Sequence, residues 1–239
     1  MFKYTRVLLK LSGEFFADHG NESTSPFASS ALSDLVNNLA ELRQQGVQIA
    51  IVIGGGNIVR GEFLAQQGFD RIASDHMGMV ATLINGLMLS ECCKKANLPC
   101  KLVTLLDLPD VIASYQAQQA IQDLARNFIV ICAGGTGKPL CTTDSAAAQR
   151  AVDVKADIIL KATKVDGIYS ADPKLNPDAK FYSTLSFDEA IEKKLAVMDL
   201  QAFEYCRANN MPIRVFNMHD STALKKLVCG EPIGTLVSN

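Results

Sequence analysis

The chain has 239 residues, 48% of them hydrophobic, which is enough to bury one large core or two closely apposed lobes. Its 23 Lys and Arg against 25 Asp and Glu leave a formal net charge of −2, so no overall positive field exists to hold nucleic acid. Nothing approaches the ~18 uninterrupted apolar residues of a membrane span, and the opening MFKYTRVLLKLSGE carries Lys10 inside a short apolar run with no small-residue cleavage site, which argues against a secretory signal.

Short β-branched runs alternate with amphipathic helical stretches, the pattern of crossover units on a mainly parallel sheet. Thr5–Leu11 reads as the first strand. A helix follows over about residues 30–45, with Leu32, Leu35, Val36, Leu39 and Leu42 on one stripe and Gly46 placed to end it. Val47–Ile53 is a continuous apolar strand, as expected where both sheet faces are covered. Asp70–Ala96 predicts a long helix, with Gly78 and Gly86 available for close packing and Pro99 beyond its end. Strands over 101–106 and 128–133 flank a helix near 116–126, and an Ala-rich helix starts near Ser145. A further strand covers 158–163. Helices then span about 187–194 and 197–209, followed by a strand at 213–217 and a short helix ending at Gly230. Two segments read as loops from their Gly, Pro, Ser and Asn content: Asp18–Ser30, and Val165–Lys180 as a hinge between halves.

Seven cysteines in an odd count, without CxxC or His at ligand spacing, read as reduced and mostly buried. Cys141 alone lies in a candidate substrate loop, where a passive lining role is favoured. His76 reads as a packing or oligomer-contact residue, and His19 and His219 as surface residues.

Ligands of open α/β sheets gather at the carboxyl ends of strands, and four loops there have unusual content. The first strand ends in Lys10-Leu11-Ser12-Gly13, a point charge beside a glycine that permits close backbone approach. The second ends in Gly54-Gly55-Gly56 with Arg60 beyond, bare amides followed by a planar bidentate donor for phosphate. A purely structural tight turn explains three glycines equally well. The third loop runs from Gly134 through Thr136, Gly137, Lys138, Pro139, Leu140, Cys141, Thr142 and Thr143 to Asp144, with the two threonines as N-cap candidates. A carboxylate beside a phosphate site is unfavourable unless it positions lysines or a metal, which gives Asp144 a purpose beyond stabilising a first helical turn. The fourth, Lys161–Pro173, brings Lys161, Thr163, Tyr169 and Asp172 together. GTGK at 135–138 is not a Walker A motif, because Cys132 stands where its first Gly belongs and Pro139 where Ser or Thr belongs. No GxGxxG fingerprint occurs either, since position 59 is Val.

KLSGE, VIGGGNIVRG, DHMGM, GTGKPLCTTD, KATKVDG, VMDL and PIRVFN, in this order across nearly the whole chain, resemble the bacterial UMP kinases of the amino acid kinase family. The resemblance implies a three-layer α/β sandwich around a mainly parallel sheet of about eight strands, as a single domain over residues 1–239. The N-terminal half would bind UMP and the C-terminal half ATP, in a cytoplasmic homohexamer of pyrimidine biosynthesis. Carried over by position, Lys10, Leu11, Ser12, Gly13, Gly56, Arg60, Thr163, Tyr169 and Asp172 would bind ATP. Gly55, Asp75 and Thr136–Thr143 would bind UMP, Asp75 at the ribose. Lys10, Arg60, Asp144 and Lys161 would be catalytic, with Mg²⁺ carried by ATP and Asp199 a further metal candidate beside its plainer reading as a helix N-terminal charge.

The resemblance fails at two places: residues 18–30 lack the glycine-rich GFGID-type sequence many relatives carry, and Lys138 stands where they often have Asn. The rival readings are another small-molecule kinase of the family and a non-catalytic nucleotide binder. Against the binder stand four charged residues around one phosphoryl position.

Overall fold

The computed structural model describes residues 2–17, 29–173, 175–195, 197–218, 220 and 222–239. His19, His219 and nearly all of the 18–30 loop lie outside these. In chain order the elements are β1 (Arg6–Leu11), a single 3-10 turn (Gly13–Phe15), α1 (Ser29–Gln44), β2 (Gln48–Ile53), α2 (Gly61–Gln66), α3 (Arg71–Lys95), β3 (Cys100–Thr104), β4 (Ala113–Ser114), α4 (Ala117–Ala125) and β5 (Ile129–Ala133). There follow α5 (Thr143–Asp153), β6 (Ile158–Thr163), β7 (Ile168–Tyr169), β8 (Phe181–Tyr182), β9 (Thr184–Ser186), α6 (Phe187–Glu192), α7 (Leu200–Ala208), β10 (Ile213–Asn217), α8 (Ala223–Val228) and β11 (Thr235–Ser238).

Among the described residues, nine strands form one sheet in the order β4-β3-β5-β2-β1-β6-β10-β11-β9, in which only the β10–β11 pairing is antiparallel, with β7 and β8 as a separate antiparallel ribbon. The count is nine against the about eight expected, and the two edges are the short strands β4, of two residues, and β9, of three. Neither is long enough to show a periodicity in sequence.

The period-2 alternation of strand side chains divides the core in two. Val7, Leu9 and Leu11 of β1, with Ile49, Ile51 and Ile53 of β2, join the buried cluster beneath α1 and α8. Leu8, Ala50 and Val52 point the other way, into the cluster under α5, α6 and α7. Both faces being dry, the strands read as continuous apolar runs.

Helix ends follow local chemistry. Asp70 caps α3 by accepting from the Ala73 N–H at 2.8 Å, Ser186 and Glu189 form a capping box on α6, and Gly46, at φ 88°, lets the chain leave α1. The 165–180 segment, expected as a hinge, is stitched to the sheet: the Ile168 N–H donates to Thr235 Oγ1 at 2.8 Å, and a Cβ on Gly167 would lie 2.8 Å from the Phe181 ring.

Candidate active site

Strands β2, β1 and β6 are adjacent and parallel, so their loops leave the sheet side by side. Lys10 and Lys161 are register partners on β1 and β6. Both are one residue out of step with the apolar positions facing α1, which sends both side chains to the α5 face. Asp144, in the first turn of α5, meets them there. Lys161 Nζ donates to Asp144 Oδ2 at 2.6 Å, and Lys10 Nζ lies 2.8 Å from Oδ1. The latter contact is off the hydrogen-bonding direction, so Oδ1 is buried without a hydrogen bond among the described residues. Lys161 also donates to the Val197 carbonyl.

Both lysines are buried, and the group therefore holds two ammonium ions and one carboxylate out of water. Burial raises the Asp144 carboxyl, but Lys10 and Lys161 more than offset it and hold it down to about 2. Burial pushes Lys161 the other way, down to about 8, against the pull of Asp144. Lys10, Lys161 and Asp144 by themselves carry one surplus positive charge, with Asp199 the further carboxylate that acts on Lys161; two ammonium groups beside a helix N-terminus suit an incoming anion.

Thr142 caps α5, accepting from the Asp144 N–H at 3.0 Å. Its hydroxyl donates to Asp199, which also accepts from Ser145 Oγ at 3.1 Å and from the Ala202 N–H at 2.7 Å as the cap of α7. Asp199 thus ties the starts of two helices together.

Two cavities lie at the strand ends, and the linings of both leave out Lys10, Asp144 and Lys161. The larger, about 500 Å³, lies between the loop after β2, helices α2 and α3, and the loop before α5, with Gly55, Gly56, Arg60, Asp75, Cys141, Thr142 and Thr143 among its lining. The smaller, about 260 Å³, is bordered by Ser12, Glu14, Thr163, Lys164 and the inner side of α1.

The glycines of the β2 loop have separate reasons. A Cβ on Gly54 would lie 2.8 Å from the Gly13 nitrogen, and one on Gly55 2.8 Å from Ala81 Cβ and 2.9 Å from the Gly78 carbonyl. Close packing therefore requires both. At Gly56 the nearest neighbour is Arg60 at 3.6 Å, so its missing side chain leaves the cavity wall open. Asn85, buried on α3, supports the loop by donating to the Gly54 carbonyl at 2.7 Å.

Asp75 faces the same cavity. It accepts from the Leu140 N–H at 2.9 Å and from Arg71 Nε at 3.1 Å, and so holds the 134–142 loop against α3. Thr82 Oγ1 accepts from the Gly134 N–H at 2.6 Å. Gly134, Gly135 and Gly137 have positive φ, as does Leu140. Thr136 is buried and its hydroxyl closes the turn onto Lys138, whose side chain is exposed along with Leu140, while Gly137 and Pro139 are half-buried.

The remaining candidates are spread more widely. Thr163 Oγ1 donates to the Val165 carbonyl at 2.7 Å and borders the smaller cavity, whereas Tyr169 and Asp172 line neither. Tyr169 packs edge-on against Phe181 at 5.3 Å, and Asp172 is exposed. Leu11 is wholly buried, and Gly13 backs onto the Gly55-Gly56 peptide. The structure therefore gathers Lys10, Lys161 and Asp144 in one cluster and places Gly55, Arg60, Asp75 and Thr142 around one cavity. Sequence reasoning missed Glu14, which takes Arg60 as an ion-pair partner and Lys164 at 3.0 Å. It stands within KLSGE, but nothing local distinguishes it from a solvated turn residue.

An open, mainly parallel sheet with buried lysines and glycine-rich loops at its strand ends is the architecture of a phosphoryl-transfer enzyme, and the amino acid kinase family model matches residues 5–217. The chain belongs to the amino acid kinase family. Within that family it is similar to the uridylate kinase of Vibrio cholerae, at 46% identity over 99% of this chain and 96% of that one. Yersinia enterocolitica uridylate kinase is 47% identical over 98% and 94%. Among solved structures, UMP kinase from Bacillus anthracis superposes with a TM-score of 0.92 at 36% identity over 98% of this chain and 96% of that one. UMP kinase from Ureaplasma parvum gives 0.90 at 32% identity, over 99% and 100%.

Proposed function

We propose that this chain is a UMP kinase that transfers the γ-phosphoryl group of ATP to UMP, yielding UDP and ADP for pyrimidine nucleotide biosynthesis. The observation that carries the chemistry is the buried Lys10–Asp144–Lys161 cluster where β1, β6 and the start of α5 meet. The near full-length relatives named for this activity support the substrate.

An oxygen of the UMP phosphate attacks the γ-phosphorus as the bond to the β,γ-bridging oxygen breaks and its electron pair leaves with ADP. UMP phosphate is already anionic at neutral pH, so no general base is needed and the work is alignment and charge neutralisation. Lys10, Lys161 and Arg60 offset charge on the transferring group, while Asp144 keeps the two buried ammonium ions a fixed distance apart. In this reading UMP takes the larger cavity, its ribose at Asp75, its phosphate and base along residues 136–143 and at Gly55. ATP approaches from the side of Ser12, Gly13, Gly56 and Thr163, with Tyr169 and Asp172 beyond.

Asp144 is engaged by two lysines and Asp199 by a helix cap and two hydroxyls, and the described residues hold no cluster of three potential metal ligands. Mg²⁺ is proposed to arrive with ATP, where it would screen the phosphate chain.

The enzyme is proposed to act in the cytoplasm as a homohexamer. Self-association is supported by α3, which leaves Ile72, Met77, Val80, Ile84 and Leu87 exposed along one face with Phe69 before it and His76 beside them. No described helix is long and apolar enough to cross a membrane.

A coupled ADP-release assay with MgATP and UMP, CMP, dUMP, aspartate or glutamate tests the reading. Turnover with UMP is expected; phosphorylation of an amino acid with none of UMP would overturn it.

A further inference from the structure

We propose that Glu14 is a positioning residue for phosphoryl transfer, its carboxylate holding Arg60 and Lys164 from opposite sides across the boundary between the two cavities. The inference rests on the kinase reading above. Glu14 sits in the 3-10 turn that leaves β1, the central strand of the site. Arg60 comes from the loop after β2 and Lys164 from the loop after β6, the strands on either side of β1. One carboxylate thus gathers a cation from each flanking loop, Arg60 bordering the larger cavity and Lys164 the smaller.

The turn that carries Glu14 is anchored. The Phe16 N–H donates to the Gly13 carbonyl at 2.8 Å, the Phe16 side chain is fully buried, and Gly13 is pinned against the β2 loop. The cations, by contrast, sit at the surface, with side-chain exposures of 62% for Arg60 and 43% for Lys164. Ion pairs so exposed contribute little to stability, so fold maintenance does not account for three charges converging here. An acid beside a phosphate path also weakens anion binding unless it serves the cations. Long basic side chains lose rotamer freedom when they meet a phosphate, and a fixed carboxylate restricts them beforehand. Lys164 and Arg60 together hold the Glu14 carboxyl below the usual range, so it is ionised at neutral pH.

Steady-state kinetics of full-length Glu14→Gln with MgATP and UMP tests this. The expected result is a kcat lower by about 10-fold or more, with KM for both nucleotides unchanged or reduced, because removing an anion strengthens ground-state binding. Glu14→Asp should recover part of the lost kcat. In an Arg60→Ala/Lys164→Ala background the same Gln substitution should change kcat by no more than about twofold. Unchanged kcat with a lower KM would make Glu14 a mere competitor with substrate and overturn the proposal. So would equal losses in both backgrounds, or a Glu14→Gln protein that no longer folds, which would make the contact structural. Turnover of UMP by the unsubstituted enzyme in the same assay separates these failures from a failure of the kinase reading.

Discussion

Lys10, Asp144 and Lys161 make the site's chemistry a matter of charge held out of water, and substitutions there should act on rate before binding. Lys10→Ala should lower kcat by about 10²–10³-fold, the usual loss for one preorganised donor, with a much smaller rise in KM for UMP; an unchanged kcat in initial-rate measurements would remove Lys10 from the mechanism. Lys161 is held down to about 8 by burial, so its ammonium form is lost as pH rises through that value. The kcat/KM profile of the free enzyme should therefore fall on an alkaline limb near pH 8, and Lys161→Arg should abolish that limb even if it lowers the plateau. The stability contributions have separate windows. Asp144, with its carboxyl lowered from 3.8 to about 2, adds stability above pH 3.8 that is lost as pH falls toward 2. Lys161, lowered from 10.5, costs stability below pH 8, and that cost is relieved between pH 8 and 10.5, where the unfolded chain binds more protons.

At the scale of elements, the long helix α3 and the Gly-rich β2 loop are one unit, because Gly54 and Gly55 are needed where loop, turn and helix touch. Gly55→Ala would drive a methyl to 2.8 Å from Ala81 Cβ. It should destabilise the protein by about 1–3 kcal/mol in denaturant titration and raise KM for UMP. A stable variant with native kinetics would show that the helix can yield. The predicted major elements match to within a few residues, since each combines a clear period with a glycine, proline or capping side chain at its end, as Leu32–Leu42 does with Gly46. What escaped were α2, β4, the β7–β8 ribbon, β9 and β11. Each is six residues or shorter, too short to show a period, and the strands among them bond to partners outside their own segment, as the Ile168 N–H does to Thr235.

For the whole molecule, the exposed apolar stripe on α3 is the feature a monomer would be least expected to keep. If α3 carries the proposed self-association, a Val80→Asp/Ile84→Asp variant should sediment as a smaller species than the unsubstituted protein in analytical ultracentrifugation; identical sedimentation would remove α3 from that proposal. By itself the sequence determined the alternation of strands and helices, the parallel sheet with two dry faces, and the four loops that hold nearly every candidate residue, because hydrophobic period and turn chemistry are local properties. Only the tertiary structure decided that β1 lies between β2 and β6, since strand order depends on crossovers that no local pattern encodes. That adjacency sets Lys10 beside Lys161, brings Asp144 onto both from a third element, and closes Glu14 between Arg60 and Lys164. Residues 10, 144 and 161 are far apart along the chain, and a charge cluster becomes visible only once folding has removed the water between its members.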